Sequence, residues 1–195
     1  MFELEHMARS LANSLLKDSE LNTVQKARVE YGLALVLGLA IEFSLTVGGA
    51  LIMGTMVYAM LIMLSALLLR IFSGGTHCSS FLRCLVFTMV LFLANSLIVK
   101  EMVLNLEFQI SMVLALMLGM ISLFLLRKPQ RSVFAIWLIS MIFPVLGLLG
   151  LVKADWLMIM ALSSVTGIFI QAIMGSAGGK LFVQKSDRFM QRVGI

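Results

Sequence analysis

A chain of 195 residues that is 61% hydrophobic and 13% charged, with a mean hydropathy of +1.04, carries more apolar surface than one soluble core of that size buries. This excludes a water-soluble globular domain and points to a bilayer. The net charge of +5 does not argue for nucleic acid, because the basic residues sit at the ends of apolar runs, where membrane topology puts them.

The first thirty residues hold Glu3, Glu5, Arg9, Lys17, Asp18, Glu20, Lys26, Arg28 and Glu30. They lack the apolar core of a cleavable secretory signal, so this segment is expected to stay attached. Within residues 2–17, Leu4, Met7, Ala8, Leu11, Leu15 and Leu16 recur at three- and four-residue spacing, which predicts an amphipathic helix lying on the membrane surface, with His6 on its polar face. A polar break at 19–23 precedes a second short helix from about Asn22, which feeds the first span.

Six apolar runs follow, at 31–46, 50–69, 82–99, 108–126, 133–152 and 156–173, each bounded by Gly, Pro or charge. Each is close to the ~20 residues that cross ~30 Å of hydrocarbon. Backbone groups in hydrocarbon must be paired within their own segment, so these runs are predicted to be helices, and the fold class is an all-α polytopic membrane protein. The expected organisation is a single membrane domain: an amphipathic cytoplasmic segment at 1–30, a transmembrane bundle at 31–175 and a basic tail at 176–195. Pro144 is expected to kink the fifth span. The small pairs Ala50 with Gly54 and Ser163 with Gly167 suit close helix contact or a homodimer. Glu42 and Asn95 lie within spans, where polar groups are costly and often functional, but neither is placed for catalysis.

Of the 15 Lys and Arg residues, all but Lys100 and Lys153 fall on one side of this six-span arrangement. Basic residues are retained in the cytoplasm, so both termini and the segment between spans two and three are expected there.

That segment runs from Arg70 to Cys84 and holds Gly74, Gly75, Thr76, His77, Cys78, Ser79, Ser80 and Arg83. Gly74 and Gly75 interrupt helical structure, and Ser79 or Ser80 can cap the helix that becomes span three. Cys84 then falls near the first turn, where unpaired N–H groups and Arg83 suit an anionic nucleophile. His77 could accept the thiol proton and pass one to a leaving amine. On one unbroken helix the two side chains would stand roughly 10 Å apart along the axis, so the glycine loop must fold His77 back toward Cys84. Ser79, Thr76 or backbone N–H groups could bind an oxyanion. A structural zinc wants four ligands and the one other His or Cys is His6, so neither metal nor cofactor is expected.

These residues resemble the accessory gene regulator B membrane endopeptidases of Gram-positive bacteria. The likeness rests on Arg70 closing span two, Gly75, and His77 and Cys84 in an H-x6-C spacing with Ser79, Ser80 and Phe81 inside it. It extends to length, number of spans and a basic loop at Arg127, Lys128 and Pro129, shorter than in some members; Cys78 departs from the pattern. The resemblance implies a cell-membrane cysteine endopeptidase with Cys84 as nucleophile and His77 as base, acting on a small quorum-sensing propeptide with an amphipathic leader and an acidic tail. It further implies release of the tail, a Cys84 thioester and closure of a thiolactone or lactone. Arg70, Gly75, Ser79, Ser80, Arg127 and Lys128 are the candidate substrate-binding residues, with Arg70 equally open to structuring the loop or to snorkelling at the span end. The rival readings are a non-enzymatic transporter or export scaffold, and an acyltransferase that uses the same thiol on another donor.

Overall fold

The computed structural model describes residues 3–17, 22–126 and 129–194. Among them are eight helices and no strand: α1 (Glu3–Leu15), α2 (Thr23–Ile52), α3 (Met56–Ser73), α4 (Phe81–Asn105), α5 (Phe108–Leu126), α6 (Arg131–Leu148), α7 (Asp155–Gly175) and α8 (Ala177–Val193). The helices α2 to α7 are long and apolar enough to cross a membrane. Residues 1–45 and 46–195 form two compact units.

In the first unit, α1 buries Ala8 and Ala12 and leaves Met7, Leu11 and Leu15 exposed. Arg9 lies 3.6 Å from Glu30, but with 71% of its side chain exposed the pair contributes little. The start of α2 is a capping box. Asn22 Oδ1 accepts from the Gln25 N–H at 2.9 Å, and Gln25 Oε1 accepts from the Asn22 N–H at 3.0 Å. This corrects the expectation of a separate short helix, because α2 runs unbroken from the cap into the first apolar run. Most of the expected break at 19–23 lies outside the described residues.

The second unit is organised around α7, which packs against α3, α4, α5, α6 and α8. Two thirds of its most apolar stretch is buried (67%), against no more than 33% for any other span. Small side chains on α7 permit this. A Cβ at Gly167 would collide with the Ile62 carbonyl oxygen and Ser65 Oγ of α3, so the two backbones touch where that glycine lies. The Ser163 and Gly167 pair thus serves contact inside the chain. Its counterpart does not, since Gly54, at φ 64, lies in the turn between α2 and α3. That turn also corrects the second span, which begins at Met56 and not at residue 50; Ala50 still belongs to α2 and accepts the Thr55 N–H at 2.8 Å. Leu69, Val133, Trp137, Met141, Val165 and Ile168 form the core where α3, α6 and α7 meet. The indole of Trp137 donates to the Gly119 carbonyl of α5 at 2.8 Å. Pro144 is buried within α6, which ends one turn later at Leu148, short of the expected 152.

Residues 176–195 were expected as a tail, yet α8 occupies nearly all of them. Ser176 caps it, its hydroxyl accepting the Gly179 N–H at 3.1 Å. Gly179, Val183 and Met190 face the bundle, and the Phe182 ring lies 5.7 Å from that of Phe87 in α4. The α7 to α8 junction therefore meets the bundle at the end where α3 stops and α4 starts.

Candidate active site

Two glycines shape the α3 to α4 loop. Gly74 takes φ 70, a conformation that costs an L side chain strain, and its N–H closes α3 on the Arg70 carbonyl at 2.8 Å. Gly75 lies against the arginine itself, since a Cβ there would stand 2.9 Å from Arg70 Cζ. Residues 74–80 then run without regular structure to α4. Side chains and carbonyls of α7 tether them. The buried Gln171 amide donates to the Gly74 carbonyl at 2.8 Å and to Ser73 Oγ at 3.2 Å, and Thr76 Oγ1 donates to the Met174 carbonyl at 3.4 Å.

Arg70 turns back over this loop. Its Nη2 lies 3.3 Å from the Thr76 carbonyl, 3.2 Å from His77 Nδ1 and 3.3 Å from His77 Nε2. A neutral imidazole has one acceptor nitrogen and one N–H, whose in-plane axes point apart, so a donor nearly equidistant from both nitrogens is aligned with the acceptor lone pair of neither tautomer. A guanidinium only donates, so the contact is compatible with neutral imidazole. Burial lowers the His77 pKa from its ordinary 6.5, and the charge of Arg70 lowers it further. At neutral pH the ring is unprotonated and able to take a proton.

Cys84 occupies the first turn of α4, its N–H bonded to the Ser80 carbonyl at 3.0 Å and its own carbonyl accepting from Thr88 Oγ1. Ser80 is the residue at the helix N-cap, although its hydroxyl makes no cap hydrogen bond. The neighbour of Cys84 is a second thiol. Cys78 and Cys84 are both free and half-buried, and their side chains are within hydrogen-bonding reach. Burial, then the Cys84 and Asp187 charges and the bond to Cys84, push the Cys78 thiol up to about 11, with Arg83 opposing. Cys78 therefore stays protonated at neutral pH and presents an S–H to its neighbour. Among the described residues no hydrogen bond joins His77 to Cys84: the histidine is held by Arg70 and the cysteine by Cys78.

A second tether comes from α8. Ser79 Oγ donates to Asp187 Oδ2 at 2.6 Å and accepts from Arg83 Nη2 at 3.0 Å. Arg83 Nε faces Asp187 Oδ1 at 3.2 Å, an ion pair without hydrogen-bond alignment, with 13% and 15% of the two side chains exposed. Asp187, Gln171 and Met174 escaped the sequence reading because they lie about a hundred positions downstream. The one available signal was a lone acid in an otherwise basic tail.

Of the other expected residues, Arg127 and Lys128 lie outside the described residues. Asn95 donates to the Leu91 carbonyl of its own helix at 2.8 Å, consistent with a structural role. At the same end of the bundle a cleft of about 240 Å³ opens between Phe72, Ser73, Leu126, Pro129, Val133 and Gly175. It adjoins the glycine loop through Ser73 and is lined on another side by Pro129 and Gln130.

The sequence profile described as Accessory gene regulator B matches residues 8–129, from within α1 through α5 and including the whole His77 to Cys84 loop. No curated protein and no solved structure matches the chain.

Proposed function

The chain belongs to the accessory gene regulator B family, and from that premise we propose a membrane cysteine endopeptidase that removes the C-terminal tail of a small quorum-sensing propeptide and cyclises the product. The observation that carries this reading is a free thiol in the first turn of α4 downstream of an imidazole whose burial and arginine neighbour keep it unprotonated. In this reading both termini and the loop face the cytoplasm, which the distribution of Lys and Arg supports, and α1 lies on that membrane surface with Met7, Leu11 and Leu15 toward lipid.

The acidic tail of the propeptide docks where Arg70 offers positive charge and Gly75, Ser79 and Ser80 line the approach; Arg127 and Lys128, outside the described residues, are the further basic candidates for holding it. A tail carboxylate taking the Arg70 guanidinium frees His77 to turn toward Cys84. His77 accepts the Cys84 proton as the sulfur attacks the carbonyl carbon before the tail. It then gives that proton to the leaving amine, and the C–N bond breaks to leave a Cys84 thioester. A Cys or Ser side chain in the signal segment attacks the thioester carbonyl, closing a thiolactone or lactone and returning the proton to the Cys84 sulfur. Tethering gives this internal nucleophile a high effective concentration against water. The 240 Å³ cleft beside Ser73 is a seat for a short segment of the peptide. No metal or cofactor takes part.

The rival is a transporter or export scaffold. Transport needs polar groups along a membrane path, whereas Asn95, Ser65, Ser122 and Ser140 bond to carbonyls of their own helices, which favours the enzyme. The deciding experiment co-expresses the chain with a cognate propeptide. Cys84→Ala and His77→Ala abolish tail release, and the intact chain accumulates a Cys84 acyl adduct visible by mass spectrometry. Full processing by both variants rejects the peptidase. An adduct carrying a non-peptide acyl group identifies an acyltransferase instead.

A further inference from the structure

We infer that α8 is an interfacial helix that docks on an anionic phospholipid surface. Its 17 residues present three strips. Gly179, Val183 and Met190 are buried against the bundle. Phe182, Phe189 and Val193 are 51%, 67% and 61% exposed, and at 100° per residue they share a stripe about 40° wide directly beside the buried one. Lys185, Arg188 and Arg192, all exposed, fall together on the next sector, with Lys180 farther round.

Three observations select lipid as the occupant. The first is depth. The Phe182 ring lies 5.7 Å from that of Phe87, six residues into α4. Phe87 stands only ~9 Å along α4 from its start, so the Phe182 ring lies within two turns of the end of a span, at the depth that the apolar face of an interfacial helix reaches. The second is charge. The one acid of α8, Asp187, is turned inward to Ser79 and Arg83, so the surface left to the outside is cationic. The third is order. An apolar stripe flanked on one side by bundle and on the other by long basic side chains matches a helix lying in the plane of the headgroups, where lysine and arginine stems reach up to phosphate.

This inference needs the spans to be in a bilayer but not Cys84 to be a nucleophile, so its test reads depth and not peptide cleavage. The full chain carrying Cys78→Ser and Cys84→Ser is reconstituted in bilayers of phosphatidylglycerol and phosphatidylcholine. A nitroxide is placed at 189 or 193, and at 184 or 191 for comparison. The ratio of collisions with oxygen to collisions with a water-soluble nickel chelate is expected to be several-fold higher at 189 and 193. Replacing phosphatidylglycerol by phosphatidylcholine, or Lys185, Arg188 and Arg192 by glutamine, lowers that ratio at 189. A chelate accessibility at 189 equal to that at 191 overturns the inference, as does a label shielded from both reagents, which marks contact with a second copy or another protein. A depth unchanged in pure phosphatidylcholine overturns the anionic recognition. Phe189→Trp in the chain with both cysteines intact supplies a second readout: quenching of the added fluorescence by brominated acyl chains supports docking, and quenching only by aqueous iodide overturns it.

Discussion

His77 and Cys84 each have a partner, and neither partner is the other. Arg70 holds the imidazole and Cys78 faces the thiol, so each has its own experimental handle. In the proposed reaction His77 acts as base only when unprotonated, and its pKa is lowered from 6.5, so the acid limb of the pH profile is expected to have its midpoint below 6.5. Arg70→Gln removes the smaller of the two causes and moves that midpoint upward, while burial keeps it from returning fully to 6.5. The same shift has a stability side. Protonation favours the unfolded chain, so the His77 contribution is intact above about 6.5 and is lost as pH falls toward the lowered value. For Cys78, whose pKa is raised from 9.0 to about 11, a Cys84→Ser chain removes the Cys84 charge but keeps the burial and the Asp187 charge, so Cys78 still alkylates at pH 8 more slowly than an ordinary cysteine; equal rates would refute the half-buried placement. If Cys84 is the nucleophile proposed above, Cys78→Ala, which removes an S–H donor beside it, lowers single-turnover acylation about tenfold, the loss of one hydrogen bond to a charged group. Cys78→Ser retains most of it. The H-x6-C spacing was readable in the chain, as was the loop that the glycines impose, but the Arg70 contact was not. Arginine at a span end has many rotamers, and only the folded loop selects one.

At the level of elements, the clearest dependence is of the loop on helices far downstream. Asp187→Asn in α8 leaves Arg83 without its countercharge and weakens the acceptor for Ser79. The two side chains are mostly shielded, so the expected loss is about 1–3 kcal/mol of local stability, read as faster hydrogen exchange across residues 79–84 while α5 and α6 stay protected. An unchanged exchange rate there would show that α8 does not hold the loop. Gly167→Ala pushes α7 off the α3 backbone and is expected to lower stability by about 1–3 kcal/mol, measured by thermal unfolding in detergent. The spans were legible because hydropathy is set by composition over some twenty residues. Their junctions were less so: the apolar run 47–53 reads equally well as the end of one span or the start of the next, and only the backbone at Gly54 decides. The helix α8 was read as a tail because its lysines and arginines depress hydropathy, although Ser176 and the Phe182, Phe189 and Val193 spacing were in view.

For the molecule as a whole, orientation is the open test of the functional reading. A cysteine introduced at position 153, in a chain whose own two cysteines are serine, is expected to react with a membrane-impermeant maleimide on intact cells, and one at position 75 only after lysis. The reverse pattern would put the loop outside and end the proposal of a cytosolic propeptide. Buried polar groups add specificity to the bundle: Ser96 donates to Thr55 at 3.0 Å across α4 to the turn before α3, a pairing that apolar patterning alone does not reveal.

The tethers of the 74–80 loop also impose a timetable. Gln171 reaches Gly74 across 97 positions, Met174 receives Thr76 across 98 and Asp187 receives Ser79 across 108. A ribosome that has inserted α3 and α4 has therefore delivered His77 and Cys84 with their near partners Arg70 and Cys78, but none of the loop's tethers from α7 and α8. The loop stays unbraced until α7 and α8 are made, and a chain cut short before α8 lacks the Asp187 acceptor for Ser79.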